Sequence, residues 1–143
     1  MMMFPVLLVS CSAGRGTVDY LPKPTTQALG GDYQRLQGTW IVNYNELKGV
    51  TTPQLYGAQH IFQGDRFRLG DDPPGQPEHF IIDETSRPKR IDFDDEHSPR
   101  VLGIYELDGE RLTICTGAPG EARPKEFRTS IFSGAILTRL KRQ

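Results

Sequence analysis

Six consecutive residues, "DFDDEH" from Asp92 to His97, bring four carboxylates and an imidazole together. Clustered oxygens of this kind can hold Ca²⁺. The spacing is not that of a calcium loop, and no glycine makes the sharp turn inside the run, so it reads as a solvated acidic loop between strands. His60, His79 and His97 are scattered and lack the H-x-x-x-H or H-x-H spacing of a zinc site. Cys115 ends the strand-like "RLTIC". A nucleophilic thiol needs a basic partner, which Arg123 would supply by looping back; the plainer reading is a small residue buried on a strand. No elbow motif marks a Ser-His-Asp arrangement, and no Gly-rich loop leads into a helix to cradle phosphate. The expectation is a protein that is not an enzyme, with no catalytic residue, no metal and no cofactor.

Two features fit binding better than catalysis. In "ARPKEF", Ala122 to Phe127, a proline stiffens the chain between Arg123 and Lys125. Positive charge at a barrel rim would suit an anionic headgroup or carboxylate; alternatively Arg123 pairs with a local acid, Glu106 or Asp108, and fixes its loop. The aromatic residues supply the second feature. Tyr44, Phe67 and Tyr105 are candidates to line a ligand, with Arg123 at the rim, although a domain of this size also needs its large side chains simply to fill the core.

The elements that would position these residues are short strands. Gly 15 and Pro 11 in 143 residues mean many turns, and from Asp32 onward no segment sustains the apolar period of a long helix. One helical turn is expected around "DYQRLQG", capped by Asp32. Elsewhere the alternation has period two. "TWIVNYNEL" sets Trp40, Val42 and Tyr44 on one face. "HIFQGDRFRL" gives two strands joined at Gln63-Gly64-Asp65, "EHFIIDE" pairs Phe80 with Ile82, and "KRIDF" pairs Ile91 with Phe93. In "GIYELDGERLTIC" a hairpin is expected to turn at Asp108-Gly109, with Leu102 and Ile104 facing Leu112 and Ile114. "KEFRTSIFSGAILTRLKR" reads as a second hairpin turning near Ser133-Gly134.

About eight short strands without crossover helices make an all-β antiparallel barrel or sandwich. Closure is favoured because a meander otherwise leaves two open edges. The first strand holds Trp40, the single tryptophan, and the last holds Arg139 and Arg142. An indole at the closed end can stack beneath a guanidinium of the returning strand. Net charge is −1, so no basic field exists to hold nucleic acid.

The first 11 residues, "MMMFPVLLVSC", are apolar to Ser10 and too short to span a bilayer as a helix. "LVSC", Leu8 to Cys11, resembles the bacterial lipobox, in which the cysteine is lipidated after cleavage. No Lys or Arg precedes the run, and Pro5 interrupts it. Residues 12–32 read as a flexible linker, and residues 33–142 as the barrel domain. Cys11 and Cys115 are too few for a disulfide scaffold.

Gly38-Thr39-Trp40 resembles the G-x-W pattern that opens the first strand of lipocalins and their calycin relatives. Over a longer stretch, "LQGTW", Gly64-Asp65-Arg66-Phe67, "IIDETSRPKRID", "GIYELDGERLTIC" and "RPKEF" together resemble a conserved domain of unknown function that recurs in planctomycete bacteria. The resemblance implies a lipocalin-like barrel in exported or lipid-anchored proteins of the cell envelope or periplasm, and no known activity. It transfers Gly38, Trp40 and a late arginine as a barrel floor; Arg142 is preferred to Arg139 because it shares a face with Leu140. The function expected is a non-enzymatic domain holding a small apolar or amphiphilic molecule, touching membrane only through Cys11. The alternative is a structural or interaction module, because the domain is shorter than ligand-carrying lipocalins and its interior can be filled by side chains.

Overall fold

Period-two alternation becomes strand wherever a turn can return the chain on itself. The computed structural model describes residues 19–23, 30–72 and 78–143. It contains helix α1 (Asp32–Leu36), β1 (Gly38–Leu47), β2 (Val50–Thr51), a 3-10 turn (Pro53–Leu55), β3 (Gln59–Gln63), β4 (Arg66–Leu69), β5 (Glu78–Asp83), β6 (Lys89–Asp94), β7 (Val101–Asp108), β8 (Arg111–Thr116) and β9 (Ile136–Arg142). Strands β1 and β3 to β9 pair antiparallel in sequence order, and β9 returns to β1, closing an 8-strand barrel. The short β2 adds to the far end of β1 at Glu46↔Thr51 and Leu47↔Val50. Closure runs from Trp40↔Arg142 to Leu47↔Ile136 and leaves the meander no free edge between its first and last strands.

The β7–β8 turn falls one residue later than expected. Asp108 pairs with Arg111, so the loop is Gly109-Glu110. Gly109 adopts φ 60, the left-handed start that a II′ turn reserves for glycine. The pairs Tyr105↔Ile114 and Ile104↔Cys115 follow. Directly paired residues share a face, so Leu112 and Ile114 point inward with Tyr105, whereas Ile104 points outward with Cys115. The expected facing of Leu102 and Ile104 with Leu112 and Ile114 is thereby corrected.

The second expected hairpin is absent among the described residues. Only Ile136–Arg142 of that stretch is strand. Residues 117–135 form a loop that folds over the outer wall, where Phe127 and Ala135 pack on Ile104, Cys115 and Leu137. An all-inward core would leave the outer β7–β8–β9 wall apolar and wet; the loop covers it.

The described part of the expected linker is also docked. Leu21 is buried against the outer wall. Its N–H donates to Asp92 Oδ2 at 2.9 Å, and its carbonyl accepts from Arg100 at 2.7 Å. Asp19 pairs with Arg123 at 2.9 Å and Arg90 at 3.0 Å. Buried Asp92 needs cations and donors around it, and this strap, with Arg100 and Arg123, supplies them.

Candidate functional site

One end of the barrel is shut. Helix α1 sends Tyr33 and Leu36 into the core. Gly38, at φ 116, lets the chain leave the helix and enter β1. Trp40 is fully buried; its indole N–H donates to the Leu36 carbonyl at 2.9 Å. The Arg142 guanidinium lies 4.2 Å over that ring, a cation–π arrangement. It also donates to the carbonyls of Gln37, at 2.8 Å, and Arg35. Asp32 accepts from Lys89 at 2.8 Å, Tyr105 at 2.7 Å and Arg35 at 2.6 Å. Burial opposes its ionisation, but those three bonds outweigh it and hold the carboxyl below its usual range. Burial, then the Asp32 bond, push the Tyr105 phenol far up. Every polar group named at this end has its partner.

From the plug an aromatic column rises through the interior. Tyr33 meets Phe80 at 5.1 Å, Phe80 meets Phe62 at 4.9 Å, Phe62 meets Phe67 at 5.1 Å, and Phe67 meets Phe93 at 4.8 Å. Above Phe67 the filling stops. A cavity of about 310 Å³ opens there, walled by Phe67, Phe93, Val101, Ile114 and Ile136, with Asn45, His60, Glu78 and Thr138 among them. This lies within the usual range of small-molecule pockets, near its lower limit of roughly 300 Å³.

The polar groups of the mouth differ in how they are satisfied. Asn45 donates to the Thr138 hydroxyl at 2.9 Å. The His60 ring stands edge-on to Phe67 at 5.4 Å, and its buried Nδ1 has no hydrogen-bond partner. Burial pulls this imidazole down to about 4, so it is neutral at pH 7. Burial, then the nearby Asp95, Asp72 and Asp94, raise the Glu78 carboxyl above its ordinary value.

The four ligand candidates disperse. Phe67 lines the cavity. Tyr105 is interior but sits at the shut end on Asp32. Tyr44 points outward, packed against the cluster of Ile104, Cys115, Ala135 and Leu137 and stacked under Arg139 at 4.8 Å. A bulge between Val42 and Tyr44 is the cause: it adds one residue to β1 and turns Asn45, not Tyr44, inward. Arg123 is neither at the mouth nor paired with Glu106 or Asp108. Its side chain is 7% exposed on the outer wall and binds Asp92 at 2.7 Å.

The acidic run divides in the same manner. Asp92 is buried on the wall, Asp94 pairs with Arg100 at 3.3 Å, and Asp95 accepts from the N–H groups of His97 and Ser98. Cys115 is buried, and burial raises its thiol, the reverse of an activated nucleophile. Cys11 lies outside the described residues. Sequence reasoning did not assign Asn45, Glu78 or Thr138 to a site and weighed His60 only as a metal ligand; the inward parity of His60 with Phe62, of Glu78 with Phe80 and of Thr138 with Leu140 was the available signal, and Asn45 had none. Comparison with protein-family models, with curated proteins and with solved structures finds no match for this chain.

Proposed function

We propose that this chain is a non-enzymatic, lipocalin-like binding domain that holds a small apolar or amphiphilic molecule in the mouth of its barrel. The observation that carries the reading is the cavity of about 310 Å³, apolar-walled and open at one end, with a few polar groups converging on it. The test is titration of the purified chain with the neutral fluorophore N-phenyl-1-naphthylamine. One-to-one binding is expected, lost when Thr116, which also lines the cavity, is replaced to block the mouth (Thr116→Trp). A dim, non-saturating signal in both proteins would count against a ligand site.

The second reading, a filled structural module, has its support in the lower barrel, where Phe62, Phe80, Ile91, Leu112 and Leu140 are all buried. It predicts no saturable binding and unchanged melting in the presence of the fluorophore.

Export and lipid attachment at Cys11 belong to the same proposal, as does kinship with the planctomycete domain. They are supported by "LVSC" and the motifs quoted above. Mass spectrometry of the protein from its own host would show a diacylglyceryl mass on Cys11, or its absence.

A further inference from the structure

The mouth is not uniform around its circumference. On one side the exposed Leu47, Val50, Leu55, Leu69 and Ile136 make an apolar rim. Leu55, Leu69 and Ile136 run directly into the cavity wall. On the other side Glu78 projects into the cavity at the start of β5. Its strand neighbours carry acids close by: Asp72 follows β4, and Asp95 follows β6.

The described cations near this acidic side are already paired with acids other than Glu78. Arg100 is bound to Asp92 and Asp94. Arg66 faces Asp65, and Lys23 faces Glu96. His79, on β5 itself, lies between Asp65 and Glu96. No described residue donates a hydrogen bond to the Glu78 carboxylate. A half-buried carboxylate without a donor is costly to keep. A ligand that brings the missing donor and positive charge would remove that cost.

We propose that the ligand is a cationic amphiphile, an ammonium group on a small apolar body. The ammonium binds Glu78, and the body lies against Phe67, Ile114 and Ile136. The buried His60 imidazole is neutral and does not repel it. This rests on the mouth being a ligand site at all. It excludes the anionic headgroup that Arg123 and Lys125 suggested, since Arg123 is committed to the outer wall.

The test is displacement of N-phenyl-1-naphthylamine at pH 7.5 by three probes of equal chain length: octylamine, octanol and octanoate. Octylamine should compete at least about tenfold better than octanol, the ratio expected of a hydrogen bond to a charged group, and octanoate worst. Glu78→Gln should bring octylamine level with octanol. Circular dichroism melting of the variant verifies that it folds. Equal competition by all three probes, preference for octanoate, or an unchanged octylamine preference in Glu78→Gln would overturn the amine assignment while leaving the binding site in place. If the fluorophore and all three probes fail to bind, the site reading fails and this assignment with it.

Discussion

The two ends of one barrel obey opposite rules. At the shut end polar groups are buried and answered: Asp32 by Lys89, Tyr105 and Arg35, the Trp40 indole by Leu36, and Arg142 by two carbonyls and a ring. At the mouth His60 Nδ1 is buried and unanswered, and among the described residues none donates to the Glu78 carboxylate. The same strands build both, so strand propensity is not the cause. What differs is that α1 brings its backbone carbonyls and Asp32 to one end, and no described element plugs the other. Satisfied polar groups stabilise a fold; unsatisfied ones around a void cost stability and are retained where something else completes them.

Substitutions at each end sharpen this contrast. The largest effect is expected at the plug: Trp40→Ala should lose about 3–5 kcal/mol in urea unfolding, the range for large buried aromatics. A loss under 1 kcal/mol would break the comparison at its strong end. Next comes His60, whose imidazole is held down to about 4 from 6.5. The unfolded chain accepts a proton near 6.5 and the fold refuses it, so stability should fall as pH drops from 6.5 toward 4, by up to about 3 kcal/mol. A pH series of melts on His60→Gln should be flatter over that window. Tyr105→Phe removes one bond to buried Asp32 and should cost about 1–3 kcal/mol.

The smallest effect has the opposite sign. The Glu78 carboxyl is raised, so the fold holds its proton to higher pH than the unfolded chain and loses stability as pH rises through the folded value. Glu78→Gln should therefore melt higher than wild type at pH 7 and match it at acid pH, where the carboxyl is already protonated. A lower melting temperature at pH 7 would mean that Glu78 is a structural group.

Much of the barrel was legible because alternation and turn glycines are local. Val42, Phe62 and Ile91 face inward as their spacing implies. Gly64, at φ 62, turns the β3–β4 hairpin where "FQGDRF" places it. The site was far less legible. The bulge after Val42 carries no composition of its own, yet it exchanges Tyr44 for Asn45 on the inner face. Arg123 meets Asp19 across 104 residues, and a pairing that distant leaves no spacing to read. Loop 117–135 alternates well enough to pass for a strand at "KEFRTSIF", yet of its apolar side chains Phe127 packs on the wall while Ile131 and Phe132 are exposed. The cavity is a product of register and of where the aromatic column ends, properties of the closed sheet and not of any segment.

The strap on the outer wall has a mechanical consequence. A pull on the chain ahead of Asp19 meets two ion pairs to Arg123 and Arg90 first, and then both backbone groups of Leu21 clasped by Asp92 and Arg100. Helix α1 lies further along the chain. Tension applied there is borne by the flank of the cylinder before any of it reaches the stopper, so tugging from that side need not uncork the barrel.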